Sequence, residues 1–179
     1  MDTITFDITG MNELFEKFDK FDAKIKNSLK DEVNASALKI QSDAKKNAPV
    51  NLGSLRNSIY LKEMSDNTKF IYSIGTNVKY APYIEFGTGG KVNIPAGFSS
   101  YASQFKGKKG GKFKEMVLAI MEWVQKKGIA SGKQSKSVAY AIAISILRKG
   151  LRPQPFLIPA FEAEKPKLKN KIKEILANA

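Results

Sequence analysis

Cysteine and histidine are both absent from the 179 residues. Without cysteine no disulfide can form, and without either residue the usual nitrogen and sulfur ligands of a zinc site are missing. The lack of histidine removes the commonest general base near neutral pH, and with it Ser-His-Asp and Cys-His nucleophile systems. An enzyme built on this chain would have to work with carboxylates, lysine or tyrosine. No apolar run approaches the roughly 18–20 residues of a membrane helix. The start, Met1-Asp2-Thr3-Ile4, lacks the basic and apolar regions of a secretory signal. These absences lead us to expect a non-enzymatic protein with no cofactor and no metal, made and kept in a cytoplasm and not inserted in a membrane.

Acidic residues are scarce in one stretch only. Residues 89–152 hold 13 Lys/Arg against 2 Asp/Glu, whereas residues 1–53 hold 8 against 9, so the central segment carries +11 of the net +13. A charge gathered this way points to a polyanionic neighbour. The remaining composition, 42% hydrophobic and 26% charged, is that of an ordinary globular chain. Its length suits one domain, 1–179, with 89–152 as a basic loop and two-helix insertion within it.

The apolar pattern predicts the elements. Ile4, Phe6 and Ile8 alternate with Thr3, Thr5 and Asp7, as in a half-buried strand. Leu14, Phe18, Phe21, Ile25, Leu29, Val33, Ile40 and Ala44 recur at steps of three, four or their sum, which predicts a helix over about 11–47. At 1.5 Å per residue it would be roughly 50 Å long, more than a small core covers, so part of it is expected to pack on another subunit. Strands are predicted at 55–63 and 70–75 around the turn Ser65–Thr68, with a third at 78–86. Residues 89–111 read as a long exposed loop. Helices follow at 112–127, 137–149 after a turn at 131–134, and 160–176. The fold class is therefore α+β: a short antiparallel sheet packed against a long N-terminal helix, with additional central and C-terminal helices.

Three tracts stand out as junctions. In Ala48-Pro49-Val50-Asn51-Leu52-Gly53-Ser54-Leu55-Arg56-Asn57-Ser58-Ile59, Pro49 stops a helix. Gly53 allows a turn, and Leu55 and Ile59 resume burial, with Arg56 between them. In Tyr80-Ala81-Pro82-Tyr83-Ile84-Glu85-Phe86-Gly87-Thr88, an acid sits between apolar neighbours ahead of a turn at Gly87-Thr88. Glu85 fits a structural ion pair or turn lock, a subunit contact, or a catalytic carboxylate without a second acid near it in sequence. Nearby backbone donors and Arg56 are its candidate partners. In Pro155-Phe156-Leu157-Ile158-Pro159-Ala160-Phe161 the prolines are expected to hold their neighbours extended, while Phe156 and Leu157 enter the core. Trp123 reads as a buried or interface anchor. The densest basic patch is Lys106, Lys108, Lys109, Lys112 and Lys114, interleaved with Phe105 and Phe113. It fits a solvated loop, a contact with DNA phosphates, or a contact with an acidic protein face. Its glycines do not have the spacing of a phosphate-binding loop.

In this order the three tracts resemble the head–tail joining proteins of long-tailed bacteriophages, the neck and tail-completion family, over roughly residues 3–88 and 150–178. The resemblance implies a virion structural protein in the neck or tail region, made in the host bacterial cytoplasm. It implies a homo-oligomeric ring, hexamer or dodecamer, around the DNA channel, docked on other phage neck, connector or tail proteins. Non-specific contact with channel DNA is a further implied possibility. The residues it marks as structural or interface positions are Pro49, Gly53, Leu55, Arg56, Tyr80, Tyr83, Glu85, Gly87, Thr88, Pro155, Phe156 and Pro159. The alternative reading is a sequence-independent nucleic-acid-binding protein using residues 89–152.

Overall fold

A computed structural model describes residues 4–7, 23–50, 53–65, 69–78, 80–100 and 113–178, with only the backbone described at 4–7. The first half of the predicted long helix (11–22), the turn residues 66–68 and the lysines at 106, 108, 109 and 112 lie outside the described residues. The chain divides into two compact units: residues 1–81 with 155–179, and residues 82–154.

The first unit is built on strand β1 (Ile4–Asp7), helix α1 (Ala23–Asn47), helix α2 (Ser54–Ser58), strands β2 (Ile59–Glu63) and β3 (Tyr72–Thr76), and helix α6 (Leu157–Ala177). Leu29, Val33, Ala37, Ile40 and Ala44 are buried along one side of α1. That is the predicted apolar stripe, and it rests on β2, β3 and α6. On α6 the buried line is Leu157, Ile158, Ala160, Glu164, Leu168 and Ile172. The sheet order is β1-β3-β2, antiparallel throughout. Ile74 of β3 lies opposite Phe6 on one side and Leu61 on the other. Paired along both edges, β3 is buried at every residue, including Ser73 and Thr76.

Several local expectations change. The strand predicted from Leu55 begins at Ile59, because Gly53 adopts φ +75 and its carbonyl accepts from Asn57 N–H, opening a helical turn. Leu55, Arg56, Asn57 and Ser58 contain no β-branched residue to resist it. The strand predicted over 78–86 is replaced by helix α3 (Ala81–Phe86). Positions 81, 82, 85 and 86 are buried, which is a helical repeat rather than an alternation. Pro82 sits in the first turn, where its missing N–H costs nothing. The third strand of the sheet is β1 instead. The last helix starts at Leu157 rather than 160, so Ile158 is helical despite preceding Pro159, and Pro159 occupies the donor-free first turn. A second proline, Pro166, lies inside α6 and removes one ladder donor.

The second unit holds α3 from Pro82 onward, a 3₁₀ turn (Gly89–Lys91), helix α4 (Phe113–Lys126) and helix α5 (Gly132–Lys149). Helix α5 begins five residues before its predicted start, where a turn was expected. The run Gly132–Lys136 carries no apolar stripe to announce it. Val117, Ala139 and Ala143 form the centre of an α4–α5 core, flanked by Phe113, Met116, Ile120 and Met121. The two alanines let the helices approach closely. Phe113 and Tyr140 meet edge to face at 5.3 Å. Gly128, at φ +67, lies just past the end of α4.

Candidate functional site

The first and third tracts meet within the first unit. Helix α1 ends at Asn47, and the next amide, Ala48 N–H, still donates to Ala44 O at 2.9 Å before half-buried Pro49 turns the chain away. Asn47 Nδ2 donates to the carbonyl of Phe156 at 3.4 Å. The Phe156 side chain is fully buried, followed by buried Leu157 and Ile158, as the sequence led us to expect. Pro155 and Pro159 are exposed on either side of them. Ser58 is the polar hinge of the first tract. Its hydroxyl donates to Leu55 O at 2.8 Å and shares a 2.5 Å hydrogen bond with the hydroxyl of fully buried Thr76 on β3. Thr76 Oγ1 also accepts from Val78 N–H. Leu55 is buried, while half-buried Arg56 has its Nε in the interior without a hydrogen-bond partner among the described residues.

In the second unit, the Gly87-Thr88 turn is clasped by Leu151-Arg152-Pro153-Gln154. Thr88 N–H donates to Leu151 O at 3.0 Å, and Leu151 N–H donates to Thr88 Oγ1 at 2.7 Å. Gln154 N–H donates to Ile84 O at 2.7 Å, and Asn93 N–H to Phe86 O at 2.9 Å. Two glycines permit this approach. Gly87, at φ +77, ends α3 with its N–H on Tyr83 O; a Cβ there would stand 2.7 Å from Leu151 O and 2.9 Å from Pro153 Cδ. Gly150, at φ +70 and ψ 159, has the Thr88 carbonyl oxygen where a Cβ would go. The clasp therefore brings together the two ends of the basic segment 89–152. Gly150 ends α5, and its partner Thr88, 62 positions away, left no signal in the local pattern.

The other residues of the second tract divide by exposure. Glu85 is 1% exposed and Tyr83 half-buried. Tyr80 is 46% exposed, yet the covered part of its ring is enough to push the hydroxyl pKa above its ordinary value. Of the predicted basic patch, Lys114 is described, exposed on the first turn of α4. Sequence reading also missed a polar contact in the first unit. Buried Ser36 on α1 donates to Glu164 Oε1 on α6 at 3.2 Å, and Lys167 lies 3.5 Å from the other carboxylate oxygen. Among the described residues there is no group of three or more acidic side chains placed to hold a metal ion, and no helix long and apolar enough to cross a membrane.

One substitution isolates the side-chain half of the clasp. Thr88→Val keeps the shape but removes the acceptor of Leu151 N–H. It is expected to cost about 1–3 kcal/mol and to raise the exchange rate of the Leu151 amide, whereas Thr88→Ser keeps the bond and the slow exchange.

These features define a mixed α+β protein whose distinctive residues set chain direction and permit close approach of the backbone. Residues 12–87 match the model of the HK97-gp10-like family, described as "Bacteriophage HK97-gp10, putative tail-component". The match upholds the resemblance read from the first two tracts. Over this span, about two fifths of the chain, the protein is similar to a structural component of phage tails. The match ends at the clasp glycine Gly87, so the basic segment and the Pro155–Phe161 tract lie beyond it. Comparison with curated proteins and with solved structures gives no match.

Proposed function

We propose that this chain is a neck or tail-completion subunit of a long-tailed phage. Six or twelve copies close into a ring around the DNA channel and dock on neighbouring neck, connector or tail proteins, with no reaction catalysed. The observation that carries this reading is the family match across α1, α2, β2 and β3, four of the elements of the first unit. The positions singled out in that span support it in kind. Gly53 and Gly87 supply left-handed turns, Leu55 fills the core, and Ser58 ties α2 to β3. All of them fix the shape of a building block. The single domain with an inserted basic segment belongs to the same reading, with the clasp as the seam where the insertion enters and leaves.

The test is disruption of the gene in the phage that encodes it. Particles lacking the chain are expected to accumulate with unfinished or unjoined tails and to lose infectivity, with recovery when the chain is supplied in trans. Complete, infectious particles from the disrupted phage would overturn the assignment.

A further inference from the structure

We propose that the exposed face of α5 is one half of the contact between copies, and that the acidic segment 11–22 of a second copy is its other half. This rests on the ring reading above, because a ring needs two different, mutually complementary patches on one chain.

The first patch lies on α5. Tyr140 and Leu147 are 52% and 63% exposed on α5, one above the other at helical spacing. Lys133, Lys136 and Arg148 are exposed along the same side. None of these three cations takes part in a salt bridge among the described residues. From Trp123 to Phe161 the chain holds seven Lys/Arg and no Asp/Glu, so nothing nearby in sequence neutralises them.

The second patch has the opposite sign and the same chemistry. Segment 11–22 holds Glu13, Glu16, Asp19 and Asp22 against Lys17 and Lys20, with Leu14, Phe18 and Phe21 recurring at steps of four and three. Apolar anchors ringed by complementary charge are the make-up of a protein interface. A DNA phosphate backbone would use the cations of α5 but gain little from Tyr140 and Leu147. That favours a protein occupant over DNA.

The experiment uses the full chain and sedimentation velocity. The wild type is expected to associate with rising concentration and to dissociate as salt is added. Lys133→Glu with Lys136→Glu, or Asp19→Lys with Asp22→Lys, each turns attraction into repulsion and is expected to weaken association by about tenfold or more. Circular dichroism should be unchanged, since Lys133 and Lys136 are exposed. Mixing the two reversed chains, or combining all four reversals in one chain, is expected to restore association. Wild-type association that neither reversal weakens overturns the proposal while leaving the ring reading to the gene disruption. Failure of the mixture to reassociate, a wild type monomeric at every concentration, or loss only of duplex DNA binding on the α5 reversal overturns it as well.

Discussion

Phe156→Ala is expected to lower the stability of the first unit by about 3–5 kcal/mol, a large part of what a domain of this size has to spare. The ring is fully buried, and it precedes a helix start in which Leu157, Ile158 and Ala160 are also buried. Its carbonyl receives Asn47 from the end of α1. The residue thus fixes where α6 begins relative to the end of α1, and those two helices share the most extensive contact between elements of the unit. A cavity left by a fully buried ring collapses only in part, so its cost adds to the lost burial. Hydrogen exchange at the α1 and α6 amides reads the loss directly. Leu38→Ala, at a position 49% exposed on α1, is the control and should stay within about 0.5 kcal/mol of wild type. Equal effects at the two sites would show that the Pro155–Phe161 tract does not anchor α6.

Gly150→Ala is expected to cost about 3–5 kcal/mol, from backbone strain together with the two hydrogen bonds that join Thr88 to Leu151. At φ +70 and ψ 159 the backbone occupies a region open almost only to glycine. A methyl group would also collide with the Thr88 carbonyl, a backbone atom that cannot rotate away. Gly128→Ala separates the two causes. Gly128 has φ +67 but no atom within 4 Å of an added Cβ, so it should lose only about 1–2 kcal/mol. Thermal unfolding followed at Trp123, which lies on α4, and exchange at residues 84–93 and 150–154 are the readouts. The clasp account requires Gly150→Ala to be clearly the worse of the two.

Local periodicity made some of this structure legible and left other parts hidden. The stripe Leu29, Val33, Ile40 and Ala44 announced α1. Phe113, Val117, Ile120 and Val124 announced α4, and Pro-Phe-Leu announced a buried anchor at Phe156. Strands at 55–63 and 70–75 were expected to pair around one turn, but the placement of β1 against the far edge of β3 depends on pairing between distant residues. In the six residues of α3 the strand and helix patterns nearly coincide, and burial of Glu85 beside Phe86 decides for helix. Gly132–Lys136 are helical without an apolar stripe, so α5 looked shorter than it is. At the junctions, Gly53 and Gly87 were recognisable as turns. The partners that make Gly87 and Gly150 indispensable sit on the opposite end of the basic segment, where no sequence window includes both.

The most direct test of the account is electron cryomicroscopy of purified phage particles, with this subunit located and counted. We expect a closed ring of copies at the neck or tail end, coaxial with the DNA channel. Intact tailed particles that contain no copy of the chain would contradict the account.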